Sequence, residues 1–199
     1  MMRTLALALL SLAALSAATL TAAAEEDDGP LFDAWVKTHS VADFEEDLAK
    51  SELNGVVPTR QLLRTATDWK KCGAERFEIP PRDHWPEVKK VLRLVAELKK
   101  RKVLEDFEGA SGYRNPALNR CAAGAPRSSH TRTFALDIVP RGKDGADEQR
   151  LCEFWRKEGQ AWDFGLSKYP SGRIHLDTSG WRSWGADHTA ATSFCAPRR

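Results

Sequence analysis

The feature that most restricts the fold is a change of hydrophobic period near residue 102. Before it, apolar residues recur at helical steps; after it, they come in short runs cut by Gly, Pro and Asn. Residues 31–50 read as helix, with Phe32, Trp35 and Val36, then Phe44 and Leu48 beyond a break near Ser40. Asn54-Gly55 marks a turn. Residues 58–69 read as a second helix, with Leu62, Leu63 and Ala66 on one face. Pro80-Pro81 is a stop, and Pro86 suits the first turn of the next helix. There Val88, Val91, Leu92, Val95 and Leu98 make one apolar stripe. Its end, Lys99-Lys100-Arg101-Lys102, reads as a solvated last turn that complements the helix dipole.

Beyond that point Val103 to Glu108 reads as a strand, 110–129 as a structured loop, and Phe134 to Val139 as a strand stopped by Pro140. Asp147 to Glu158 is a helix with Leu151, Cys152 and Trp155 facing in. Ile174 to Thr178 is a strand. No repeat is visible. Helices first, then short strands around one helix, predict an α+β fold: a small antiparallel sheet flanked by helices, with an N-terminal helical extension.

Residues 1–24 stand apart from that pattern. Arg3, an apolar run from Leu5 to Leu20, and Ala22-Ala23-Ala24 before Glu25-Glu26-Asp27-Asp28 form a Sec-type signal peptide. The run is short for a membrane span, and no Cys stands at the cleavage site for a lipid anchor. The expectation is a periplasmic or secreted protein without a transmembrane span in its mature form. Residues 25–75 would be an acidic linker and helical extension, and 76–199 the functional domain. The net charge of +2 includes Arg3 and gives no electrostatic case for nucleic acid. Seven tryptophans are many for 199 residues, and core packing accounts for most of them.

All four cysteines follow the leader, in a part of the chain where disulfides persist. Four allow three pairings, which sequence alone leaves open. Cys72 with Cys121 and Cys152 with Cys195 is preferred. It ties the N-terminal segment to the 110–129 loop and the C-terminal tail to a helix. A cysteine-based zinc site is disfavoured, since no two cysteines stand at ligand spacing.

Metal-capable residues cluster in two places, Ser128-Ser129-His130 through Asp137 and Arg173-Ile174-His175-Leu176-Asp177. Two imidazoles and a carboxylate match the three protein ligands of a catalytic zinc centre, which keeps one position open. His-x6-Asp alone is weak, because chance spacing produces it. His39, His84 and His188 lie outside any paired pattern and read as surface or packing residues. His188 is the least secure, being close to Trp181 and Trp184, which either wall a cleft or close the core.

A longer series of blocks is more specific. Ser111-Gly112-Tyr113-Arg114-Asn115-Pro116 is followed by Asn119, Cys121, Gly124-Ala125 and Ser128-x-His130-x6-Asp137. His175-x-Asp177 and Trp184 complete it. Over residues 56–186 the chain resembles the D-Ala-D-Ala carboxypeptidase and murein endopeptidase family of zinc peptidases. That group shares its fold with the vancomycin-resistance dipeptidases and the hedgehog signalling domain. The resemblance implies Zn²⁺ held by His130, Asp137 and His175, and a monomer acting on the peptidoglycan stem peptide. It implies substrate binding by Arg114, with Tyr113 in the same block, through a guanidinium paired with a carboxylate. Ser128 would orient substrate or the metal's surroundings, or cap a loop.

Two positions depart from the family pattern. Thr133 stands where the family has Gly, and a positive φ there would be costly. Gly172 stands where many members place the acid that serves as general base. Asp177 is then a candidate base, or a carboxylate that orients His175. Asp163 and Tyr169 are further candidates. The competing readings are a non-catalytic zinc module that binds wall peptide, which the missing acid allows, and an exported structural domain with a coincidental His/Asp set.

Overall fold

A computed structural model describes residues 27–142 and 145–196. The expected signal peptide lies outside the described residues. Among those, no helix is long and apolar enough to cross a membrane.

The N-terminal part is helical: α1 (Gly29–Trp35), α2 (Ala42–Lys50), α3 (Thr59–Leu62) and the long α4 (Trp85–Lys100). In α4 the side chains of Val88, Val91, Leu92, Leu94, Val95 and Leu98 are fully buried. At about 1.5–3 kcal/mol for each buried aliphatic side chain, this stripe is what holds the helix in place. Its end is a Schellman motif: Val103 N–H donates to Leu98 O at 2.8 Å and Lys102 N–H to Lys99 O at 3.0 Å. Lys102 takes the left-handed conformation, φ 56°. The chain therefore spends residues 101–104 closing the helix. The first strand, β1 (Phe107–Ser111), starts later than the Val103 expected from the sequence.

After β1 come α5 (Pro116–Cys121), α6 (Ser129–Arg132), β2 (Ala135–Pro140), α7 (Ala146–Glu158), β3 (Gly165–Lys168), β4 (Ile174–Asp177) and β5 (Arg182–Trp184). The five strands form one sheet in the order β1-β2-β4-β3-β5. Three pairings are antiparallel, but β3 and β5 run parallel, so the sheet is mixed and not purely antiparallel as expected. The α+β class is confirmed. The expectation missed β3 and β5 because neither shows a run of β-branched residues.

Two further expectations are corrected. The helix read over 58–69 stops at Leu62. Arg64 leaves it to form a bridge with Phe77, with Glu78 N–H donating to Leu63 O at 3.0 Å. Leu62, Leu63 and Ala66 are nevertheless all buried. The acidic stretch before Gly29 does not end as a solvated linker. Asp28 is 7% exposed. It accepts from Arg64 Nε at 2.8 Å, Arg64 Nη2 at 2.7 Å and Arg76 Nε at 2.9 Å. Arg64 also donates to Glu108 Oε1 at 2.6 Å and Gly109 O at 2.7 Å, which ties the start of α1 to β1. Phe44, Leu48, Leu62 and Leu63 belong to the same apolar cluster as α4 and the sheet.

Both preferred disulfides are present, Cys72–Cys121 and Cys152–Cys195. They span 49 and 43 residues, and each loop closed in this way removes about 4 kcal/mol of freedom from the unfolded chain.

Candidate metal centre

The register of the two central strands sets the site. Asp137 on β2 lies directly opposite His175 on β4, so both side chains leave the sheet on one face. His130 comes from α6, the single turn that leads into β2. Nε2 of His130 is 3.1 Å from Asp137 Oδ1, and Nδ1 of His175 is 3.0 Å from the same oxygen. Ligand atoms of all three residues fall within 4.8 Å of one another, and all three residues are buried. Two imidazoles and one carboxylate converging in this way match a three-ligand zinc centre.

The outward nitrogen of each imidazole is also fixed. His130 Nδ1 is 2.6 Å from Gly112 O, so Nδ1–H donates to the carbonyl and Nε2 faces the corner. Gly112 is required there, because a Cβ would stand 2.4 Å from Leu62 O. His175 Nε2 is 2.7 Å from Asp177 Oδ2, which leaves Nδ1 for the corner. Burial, with the Arg114 charge beside it, lowers His130 to about 4, so this imidazole is neutral near pH 7. For His175 burial works in the same direction, but the Asp137 and Asp177 carboxylates outweigh it and push the ring up to about 9. A cation held by these ligands would take the place of that proton.

Asp177, expected as a base or as a carboxylate that orients His175, stands within hydrogen-bond reach of the His175 ring. It is fully buried and does not line the cleft. Besides His175, its oxygens accept from Arg182 in a two-pronged pair (3.0 and 2.6 Å), from Ser129 Oγ at 3.1 Å and from Ser179 N–H at 2.8 Å. Burial alone would raise its pKa; His175 and Arg182 hold the carboxyl far below the usual range.

The metal corner opens onto a cleft of about 850 Å³ lined by Asp68, Arg114, Arg127, Ser128, Tyr169, Arg173, Trp184 and His188, among others. Arg114 is where the sequence expects it, but two of its donors are engaged within the protein. Nη2 donates to Asp137 Oδ2 at 2.7 Å and Nε to Ser111 Oγ at 3.1 Å. Ser128 lines the cleft and stands at the N-cap of α6. Tyr113 does not reach the cleft. It is 5% exposed, and its ring lies edge-on to His84 at 5.3 Å. Asn115 and Pro116 of the same block serve local structure: Asn115 Oδ1 caps α5 by accepting from Leu118 N–H at 2.9 Å.

Thr133 does not need the positive φ that glycine would serve, since its φ is −135°. Gly172 has φ +86°. It closes the turn between β3 and β4: Gly172 N–H donates to Tyr169 O at 2.9 Å, and Tyr169 N–H to Arg173 O at 2.8 Å. With Pro170 second in the turn and glycine in the left-handed place, this is a short hairpin whose geometry favours glycine at 172 over a residue with a Cβ. Asp163 is exposed, takes φ 48° and is not on the cleft wall. Trp184 walls the cleft with its ring 5.2 Å from His175, whereas Trp181 is 45% exposed and packs on Trp155 at 5.3 Å.

Sequence reasoning missed Asp68, Arg182 and Ser129. Asp68 was hidden inside a segment read as helix. Arg182 stands five residues after Asp177, and nothing in that spacing signals the return of the chain.

With this geometry in place, the comparison with known families is decisive for the class. The profile of the Peptidase M15 family matches residues 59–177, and the chain belongs to that family of zinc D-Ala-D-Ala peptidases. By family it is a metallopeptidase, a hydrolase acting on a peptide, and its His-Asp-His group fits the family's metal. Searches of curated proteins and of solved structures returned no match.

Proposed function

We propose that the chain is an exported zinc peptidase that hydrolyses D-amino-acid peptide bonds in peptidoglycan stem peptides, as a D,D-carboxypeptidase or a cross-link endopeptidase. The observation that carries this reading is the buried His130/Asp137/His175 corner at the floor of an arginine-lined cleft. Zinc held by these residues would polarise the scissile carbonyl and lower the pKa of water toward about 7.

The protein's own groups supply the rest. His130 and His175 present one nitrogen each, with the other nitrogen of each tied to Gly112 O or Asp177. Arg114, Arg127 and Arg173 give the cleft a positive wall suited to the carboxylates of a stem peptide. Asp68 and His188, both exposed on that wall, would accept and return a proton. Export through residues 1–24 agrees with two disulfides in the rest of the chain. We assign residues 25–75 to an N-terminal extension and 76–199 to a hedgehog-like zinc peptidase domain that acts as a monomer.

The absence of an acid at Gly172, with Asp177 buried behind His175, favours one other reading: a zinc module that binds wall peptide without cutting it. Incubation of the purified mature protein with muropeptides, with and without chelator, separates the two. Chelator-sensitive release of terminal D-Ala marks a carboxypeptidase, and loss of cross-linked dimers marks an endopeptidase. Stoichiometric zinc with no cleavage defeats the enzymatic reading.

A further inference from the structure

We propose that the Tyr169 hydroxyl is a catalytic hydrogen-bond donor to the oxygen of the scissile carbonyl, an inference that rests on the peptidase reading above. Tyr169 follows β3 at once, and its backbone is pinned on both sides of the hairpin by the hydrogen bonds to Arg173 and Gly172. Its side chain lines the cleft beside the metal corner. The ring stands edge-on to His175, 89° between planes with centroids 6.3 Å apart. The hydroxyl is 3.4 Å from His175 Nδ1, the nitrogen that faces the corner.

The hydroxyl oxygen accepts from the Arg114 guanidinium, which leaves its own O–H to donate. His175 already has Asp137 at 3.0 Å on Nδ1 and Asp177 at 2.7 Å on Nε2, so neither nitrogen depends on Tyr169. A separation of 3.4 Å is also long for an O–H···N bond. The hydroxyl is thus an O–H donor at the rim of the corner, in the region where carbonyl oxygen gains negative charge during attack. Donors fixed in advance at such a point act without reorganisation when the charge appears.

The step balances with Tyr169 keeping its proton. Water oxygen forms a bond to the carbonyl carbon, the C–N bond breaks with its electron pair on nitrogen, and both water protons finish on the leaving amine. The products are a carboxylate and an ammonium group.

The test uses Tyr169→Phe in the mature, zinc-loaded chain, a change that removes one oxygen and keeps the ring. The expected result is a fall in kcat of about 100-fold or more, with KM within about threefold of the parent. Zinc affinity and thermal midpoint stay as in the parent. A phosphinate analogue of D-Ala-D-Ala, which mimics the tetrahedral state, loses affinity by the same factor as kcat/KM. An unchanged kcat in Tyr169→Phe overturns the inference. So does a variant that unfolds or loses zinc in step with activity, which makes Tyr169 a support for His175. A wild-type zinc protein that cleaves no muropeptide overturns the peptidase reading first and this inference with it.

Discussion

Asp177 Oδ2 lies 2.7 Å from Nε2 of His175, and this contact decides which imidazole nitrogen faces the metal corner. The pair sits on one strand two residues apart, so β4 carries both the ligand and the group that orients it. Arg182 grips the same carboxylate with two nitrogens and keeps it ionised. Both oxygens of Asp177 are thus engaged within the protein.

Asp177→Asn should weaken zinc binding by about 10- to 100-fold, the usual range when the partner of a ligand histidine is lost. The amide can turn an N–H toward His175 Nε2 and favour the wrong tautomer. Arg182 also loses its charge partner. Competition titration against a zinc-binding dye measures the loss, and an affinity equal to the parent's would show that Asp177 does not orient His175.

Removing the metal should abolish hydrolysis reversibly while leaving the core folded. The apolar cluster and both disulfides do not involve the ligands. Zinc at about 1,000 times its dissociation constant should add roughly 4 kcal/mol of stability, visible as a higher melting midpoint. His130→Ala should bind no stoichiometric zinc and gain none of that stability. Elemental analysis beside paired melting curves checks both statements, and a His130→Ala protein that keeps its zinc defeats the ligand assignment.

The sequence shows the long elements and the ligands because each writes a local signal. The stripe of α4 and the alternation in β4 are periodic, and the ligands fall in spaced blocks. What it hides are relations between distant segments. Arg64 leaves a helical pattern because Asp28 and Glu108, far away in the chain, bind its guanidinium. Tyr113 and Arg114 are neighbours in one block, yet one is buried in the core and the other lines the cleft. β3 (Gly-Leu-Ser-Lys) and β5 (Arg-Ser-Trp) carry no β-branched residue to mark them as strands.

Gly172→Glu restores the family's acid by name and should not raise activity. At φ +86° a residue with a Cβ is strained, although no atom lies within 4 Å of the place its Cβ would take. The cost is conformational, about 1 kcal/mol or slightly more. The strained turn should shift Tyr169, so kcat should fall with stability. A variant with higher kcat and an unchanged midpoint would show that the hairpin accepts an acid after all.

Asp28 should be a main source of acid sensitivity. Burial alone would raise its pKa, but hydrogen bonds and charge from Arg64 and Arg76 win and hold it below the ordinary carboxyl value. A group with a depressed folded-state pKa stabilises above its unfolded value, about 3.9, and loses that contribution as pH falls through the lower folded value. Asp28→Asn should cost roughly 3 kcal/mol at pH 7, the scale for breaking a buried pair. Its deficit should shrink as pH falls below about 3.9, because the unfolded parent then takes up a proton that the folded parent resists and the variant has nothing to protonate. Asp137 and Asp177 titrate in both proteins and cancel in the difference. Urea unfolding at pH 7, 5, 4 and 3 measures the gap, and a gap that stays constant over this range would exclude Asp28 as the source.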